Sequence, residues 1–157
     1  MKSIYKPEFI EFMDLPKLTN GVVEIVCEGK NPAAPEKGWV PWYAFNILVG
    51  GKVVGQLNLR IGMSESLLYS GQIGYIVKEA HRGKGYALQA VKLLTPVLAF
   101  HKMDKVLICT EASNIASNRV CEKLGAKLIE TKPTPKWHDT YDEGWRTTNV
   151  YEWDLRI

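Results

Sequence analysis

Cysteine is scarce in this chain, and the three it has, Cys27, Cys109 and Cys121, are odd in number and share no metal-like spacing. Neither a dense disulfide framework nor a cysteine-built metal site is written into such a pattern. They read as thiols in a reducing cytoplasm, and no metal is expected. Long apolar runs are also lacking. Near the N-terminus, Phe9, Ile10 and Phe12 are interrupted by Glu8, Glu11 and Asp14, so neither a signal-peptide core nor a membrane span forms there or elsewhere. The expectation is a cytoplasmic protein with no membrane partner. Charge of one sign is nearly balanced, with 20 Lys and Arg against 17 Asp and Glu, a net +3. That is too little to argue for nucleic acid as the main partner, although it suits a modest anionic ligand. There is no internal repeat and no low-complexity tract.

What is present is the composition of a soluble globular protein: 157 residues, 46% hydrophobic and 24% charged. One domain, 1–157, is expected, long enough to bury a core without disulfide or metal staples. The stretch Asn31-Pro-Ala-Ala-Pro-Glu-Lys-Gly38 gathers loop-forming residues and predicts a surface loop. Val22 to Cys27 is β-branched and predicts a strand, as does the alternation from Trp42 to Val49. Gly50-Gly51 then closes a hairpin onto Lys52 to Ile61, where Val54, Leu57, Leu59 and Ile61 fall mainly on one face. The fold therefore opens with an antiparallel meander. Gly62 to Gly71 reads as a mobile connection.

Ile73-Gly74-Tyr75-Ile76-Val77 is a short apolar strand, and after Arg82-Gly83-Lys84-Gly85 the period becomes helical, with Ala87, Ala90, Val91, Leu94 and Leu98 on one stripe. Pro96 lies in that helix and predicts a kink or an early stop. Val106 to Cys109 is the next strand. It is too distant for a hairpin with Ile73 to Val77 and is joined to it through a helix, which predicts a parallel pair with right-handed crossover. Asn114 or Ser113 can cap a second helix running to about Leu124, ended by Gly125, with Ala116, Val120 and Leu124 on its buried side. Ala126 to Glu130 and Val150 to Leu155 predict two closing strands. Between them, the loop 132–146 carries Trp137, His138, Trp145 and Arg146, and long loops of this kind are often functional.

Chemistry concentrates in the strand-turn-helix unit. Gly83 and Gly85 lack Cβ, so several backbone N–H groups can approach a ligand at the first turn of a helix, and Arg82 and Lys84 add charge. A phosphate cradle fits, and so does a plain turn with two exposed basic residues. The Gly-Lys-Ser/Thr ending of a P-loop is missing, and Leu88 stands where a dinucleotide fingerprint needs a third small residue.

Arg82-x-x-Gly85-x-Ala87 resembles the Arg/Gln-x-x-Gly-x-Gly/Ala signature of the GNAT family of N-acetyltransferases. Gln72 to Val77 looks like that family's fourth strand, and Asn114-x-x-Ser117 followed by Cys-Glu-Lys-Leu-Gly-Ala126 looks like its second motif. The likeness covers roughly Gly71 to Ile129, and within the family it most resembles the branch of ribosomal-protein N-terminal acetyltransferases. It implies the GNAT fold: an α/β (α+β) domain whose mixed central sheet combines the meander with a central splayed parallel strand pair and flanking helices.

The resemblance also implies acetyl-coenzyme A as co-substrate. Its pyrophosphate would meet Arg82, Gly83, Lys84, Gly85, Tyr86 and Ala87, its pantetheine arm the backbone of Ile76 and Val77, and its sulfur the neighbourhood of Asn114 and Ser117. Asn114 and Ser117 are equally ordinary capping residues. Transfer would go to a primary amine, on a small molecule or a peptide N-terminus, by direct attack, which requires the amine to lose its proton. Gln72 stands where several relatives carry a glutamate base, so Glu111 is the first substitute and His138 the second. Cys121 replaces a tyrosine that reprotonates the thiolate in many relatives. It can act as that acid or be a buried small side chain, and Tyr75 and Ser117 are further donors. Trp39, Trp42 and Tyr43, with Trp137, Tyr141 and Trp145, can wall an acceptor cleft, and Asp139, Asp142 and Glu143 would favour a cationic acceptor. A non-catalytic acyl-coenzyme A-binding module is the alternative, and a homodimer is compatible with the resemblance.

Overall fold

Alternating apolar residues build the first sheet, and the alternation shows strand by strand in the structure, a computed structural model that describes residues 6–156. Residues 1–5 and 157 of the expected single domain lie outside the described residues. Five strands follow one another in order, β1 (Leu18–Thr19), β2 (Val23–Asn31), β3 (Trp42–Val49), β4 (Lys52–Arg60) and β5 (Ile73–Val77), all antiparallel. On β3 and β4, Tyr43, Phe45, Ile47, Leu57 and Leu59 are buried while their neighbours face outward. Gly50 and Gly51, with φ of 58° and 78°, form the tight turn between these strands. Both lie in the left-handed region that a two-residue hairpin turn requires.

The connection from β4 to β5, expected from the sequence to be mobile, has structure of its own. It contains the short helix α1 (Leu67–Ser70), and Met63, Ser64 and Leu67 are buried. The next helix breaks where Pro96 predicts, into α2 (Tyr86–Lys92) and α3 (Thr95–Phe100), with Pro96 in the first turn of α3. The proline has no N–H to contribute there and so costs the second helix nothing.

A second sheet has the order β6, β8, β7, from β6 (Lys105–Glu111), β7 (Lys127–Pro133) and β8 (Thr147–Asp154), again antiparallel throughout. Helix α4 (Ile115–Leu124) joins β6 to β7, and α5 (Asp139–Asp142) sits in the loop before β8. β6 is buried on both faces. Val106 and Ile108 join the main core with Leu94, Leu98, Tyr151 and Trp153, while Leu107 and Cys109 pack with Val40, Met63, Leu67 and Val150. This double burial explains the continuous apolar run. No helix among the described residues is long and apolar enough to cross a membrane.

The central pair departs from a simple parallel ladder. The chain entering β5 meets the middle of β6, through an isolated antiparallel bridge between Gly71 and Ile108 and a bond from Gln72 N to Leu107 O of 2.7 Å. Beyond that point they diverge and share no ladder. The Gln72 side chain clips the junction, donating through Nε2 to Gly62 O (2.7 Å) and accepting at Oε1 from Leu107 N (3.0 Å). Further along, the side chain of Tyr75 reaches across to α4 and occupies the wedge between the two sheets.

Candidate active site

Divergence of β5 from β6 leaves one edge of β5 unpaired. Lys78 N bonds Val54 O, and a Cβ on Gly55 would lie 2.3 Å from Ile76 O. Even-numbered residues therefore turn their backbone groups toward β4, and by alternation Ile73, Tyr75 and Val77 turn theirs toward the open edge. This corrects the assignment of Ile76 as a backbone partner: its carbonyl faces β4, and its contribution is a side chain 60% exposed on the cleft wall.

The turn that follows is built for close approach. Gly83 and Gly85 have φ of 79° and 77°, and no side chain caps the start of α2. Their dihedrals aim successive N–H groups outward, and the first N–H groups of a helix have no partner inside it. Arg82 donates from Nε to Val77 O at 2.8 Å, which ties the turn to the end of β5.

Helix α4 forms the opposite wall. Asn114 caps it, with Oδ1 accepting from Ser117 N at 3.1 Å, and Gly125 ends it at φ 86°. Its expected apolar stripe serves the core only in part: Ala116 is exposed, Val120 is half-buried, Leu124 packs half-buried against the main core, and Cys121 is the residue that is fully buried. Ala116, Arg119, Val120 and Lys123 instead line a cavity of 420 Å³ together with Asn114 and Ser117, facing Tyr75, Ile76, Val77, Arg82, Gly83, Gly85, Tyr86, Ala87 and Leu88 across it. Lys84 is exposed and does not line this cavity. His81, Arg119 and Lys123 were not singled out from the sequence, although Ala116, Arg119, Val120 and Lys123 carry the i, i+3, i+4, i+7 spacing of one helix face.

At the inner end, Tyr75 Oη is 2.8 Å from Ser117 Oγ. Burial pushes the Tyr75 phenol well above its ordinary range, and the nearby Cys121 adds to the effect. Cys121 itself lies beneath, with no exposed surface, and burial pushes its thiol up to about 12, with Cys109 and Glu122 adding to the rise. Below that pH it is a neutral thiol, so it forms no thiolate under physiological conditions. In the native protein Cys121 should therefore resist alkylation at pH 8, then label once the chain is unfolded. Mass spectrometry after iodoacetamide treatment reads this directly, and native labelling would contradict the burial.

The two candidate bases are not brought to this point. Glu111 accepts from Ser113 N (2.6 Å) and from the Ser113 hydroxyl, bonds that hold its carboxyl below the usual range, and it does not line the cavity between β5 and α4. His138 is 3% exposed and caps α5: Nδ1 accepts from Thr140 N at 3.1 Å, and Nε2 lies 2.8 Å from Ser66 O. The carbonyl requires Nε2 to carry the proton, so no ring lone pair is left over.

A second cavity, of 540 Å³, adjoins the other face of β4. Trp39, Trp42 and Trp137 line it, as expected of the aromatic segments, together with Asn58, Arg60, Ser64, Asp139 and Glu143. The other aromatics have different duties. Tyr43 is in the core, bonding His101 Nε2 (2.6 Å) and Met13 N (2.7 Å) through its hydroxyl. Tyr141 lies beneath the Arg146 guanidinium, 3.8 Å from the ring centre, and Trp145 packs on the smaller core cluster. No residue lines both cavities; Asn58 of the second pairs with Gly74, which precedes Tyr75 of the first in sequence.

The architecture and the sequence have counterparts. No curated protein matches the sequence. Among solved structures, the ribosomal L7/L12 α-N-protein acetyltransferase RimL in complex with coenzyme A aligns at 20% identity and TM-score 0.58, over 76% of this chain and 64% of that one. The microcin C7 self-immunity acetyltransferase MccE, in complex with acetyl-CoA and AMP, aligns at 18% identity and TM-score 0.55, over 71% and 59%. A GNAT-family acetyltransferase from Bacillus anthracis aligns at 20% identity and TM-score 0.58, over 73% and 67%. The chain spans less than two thirds of the RimL and MccE chains, and the likeness is one of fold. The acetyltransferase (GNAT) domain model matches residues 7–127, most of the chain, and with the splayed strands and the glycine turn already in place, this protein belongs to the GNAT acetyltransferase family.

Proposed function

We propose that the chain works as a single-domain N-acetyltransferase. Acetyl-coenzyme A occupies the cleft between β5 and α4, and a primary amine, on a small molecule or a peptide N-terminus, enters from the second cavity and attacks the thioester directly. One observation carries this reading: the unpaired edge of β5, the uncapped glycine turn and the face of α4 that bears Ala116, Arg119, Val120 and Lys123 converge on one cavity. N–H groups from Gly83 to Ala87 suit the pyrophosphate, with Arg82, Arg119 and Lys123 adding charge around it. The open edge of β5 suits the amide-rich pantetheine arm in the manner of an added strand.

The chemistry follows from what surrounds the inner end. The amine lone pair forms the new C–N bond, a backbone N–H on the open edge of β5 stabilises the oxyanion, and the C–S bond breaks as the carbonyl re-forms. Tyr75, held by Ser117 and still a neutral phenol at working pH, donates its hydrogen bond to the departing sulfur. Cys121, buried beneath it, serves as packing. The amine proton leaves toward solvent, since Glu111 and His138 are committed elsewhere.

An amine panel tests the reading, following release of the coenzyme A thiol and the mass of the product. Amine-dependent release supports it. Tight coenzyme A binding with no transfer to any amine would replace it with the binding-module alternative. Tyr75→Phe should lower kcat about 100-fold, within the range of a positioned proton donor, while the Kd for acetyl-coenzyme A stays near that of the parent. An unchanged kcat would remove Tyr75 from the chemistry.

A further inference from the structure

The second cavity holds two polar groups that the chain leaves uncommitted. Asn58 Oδ1 is buried with no hydrogen-bond partner. The Arg60 guanidinium makes one bond, from Nη1 to Gly71 O at 3.2 Å, and among the described residues no carboxylate pairs with it. A cation taken out of water without a counter-ion is unfavourable, and burial lowers its pKa accordingly. A guanidinium stays charged even so, and it presents a planar fork of donors that matches the oxygens of a carboxylate or phosphate.

Their placement is also specific. Asn58 and Arg60 are two residues apart on β4 and so stand side by side on one face, across from Gly74 on β5. A Cβ on Gly74 would come within 2.9 Å of Asn58 Oδ1 and 3.2 Å of Arg60 Nη1. Only glycine leaves the space over this pair clear, and the next residue, Tyr75, pairs with Leu57 and turns its side chain to the opposite face of the sheet. Asp139 and Glu143, the acidic residues that line the same cavity, are both exposed.

We propose that Asn58 and Arg60 form the acceptor-recognition subsite. Arg60 binds an anionic group of the substrate, a carboxylate or a phosphate, and the Asn58 amide, whose last torsion is soft, receives an N–H of the amine. The substrate is then an amine that carries its own anion, not the simple cation suggested by the aromatic and acidic residues of the loop 132–146. A 540 Å³ cavity is of small-molecule size. This rests on the reading of the protein as an N-acetyltransferase with its cofactor between β5 and α4.

Matched amines test it on the full chain with acetyl-coenzyme A: phenylalanine against phenethylamine for the carboxylate, and 2-aminoethyl phosphate against ethanolamine for the phosphate. The anionic member of at least one pair should be favoured about 30-fold or more in kcat/KM, the scale of a desolvated charge pair. Arg60→Gln should erase that preference by raising the KM of the anionic member about 30-fold more than that of its neutral match, and Arg60→Lys should restore part of it. Equal use of both members of each pair, or a preference that survives Arg60→Gln, would overturn the proposal. Calorimetric titration of the same four amines into the coenzyme A-loaded protein separates the two readings. Arg60-dependent binding of an anionic member without acetylation would keep the subsite and refute the transferase reading, whereas no binding and no turnover of either anionic member would refute the subsite.

Discussion

A Gly85→Val protein is expected to fold normally and to lose coenzyme A binding. Gly85 has φ 77°, and the nearest atom to a Cβ built there is Gln89 Nε2 at 3.9 Å, so nothing in the protein resists the side chain sterically. The fold pays only the left-handed backbone penalty, about 1–2 kcal/mol. The added side chain projects where the phosphates must approach the turn, and it removes hydrogen bonds to a charged group worth about 1.5–3 kcal/mol each. Loss of two such bonds weakens binding by more than about 100-fold. Titration calorimetry with coenzyme A, beside a circular dichroism melt, measures both quantities. Lys84→Ala is the matched control, because Lys84 stands outside the cavity and should matter little. Unchanged affinity in Gly85→Val would move the pyrophosphate away from this turn.

That turn was legible in the sequence because its conformation is local. Two glycines between an apolar strand and a helical period leave few alternatives, and both adopt the left-handed dihedrals that favour glycine. The meander was legible for the same reason: the alternation of β3 and β4 and the Gly50-Gly51 turn are short-range properties, and Asn114 caps its helix through a bond only three residues long. What the residues could not declare is how the elements lie relative to one another. The apolar face of α4 reads as core by period, yet Ala116 and Val120 face a cavity, because the wedge between the two sheets is held open by Tyr75 and Ser117. Periodicity identifies a face and is silent about what covers it.

The same limit explains the candidate chemistry. Glu111 is the last residue of β6, but its carboxylate is taken by the loop that follows, at Ser113. His138 looks like a loop base until Ser66, far away in the chain, takes its second ring nitrogen. Gln72 reads as a base that has been lost, whereas in three dimensions it is the clip that joins Gly62, β5 and β6. Arg60 carried no signal at all, since an arginine at the end of an alternating strand normally ends in solvent. Its isolation from carboxylates appears only once α1 and α5 close over that face of the sheet.

Gly71 is where the splay begins, and Gly71→Ala should be the most destabilising of the substitutions considered. A Cβ there would lie 2.8 Å from Cys109 N, 3.0 Å from Leu107 O and 3.1 Å from Ile108 Cα. All three are backbone atoms of β6, which cannot swing aside as the end of a side chain can. The residue also has φ 78°, so alanine is strained before any contact is counted. The dihedral costs about 1 kcal/mol and the overpacked strand contact about 1–3 kcal/mol more, a large part of the 5–15 kcal/mol that holds an ordinary domain together. At about 2–4 °C per kcal/mol for a chain of this size, the melting temperature should fall by about 10 °C. Gly21→Ala isolates the contact, because Gly21 has φ 94° with nothing within 4 Å of a Cβ and should show the dihedral cost alone. If the two variants melt together, the close approach of Gly71 to β6 does not depend on the missing Cβ. If Gly71→Ala melts far lower, the junction that opens the cofactor cleft depends on that one glycine, and coenzyme A affinity should fall with it even though Gly71 lines neither cavity.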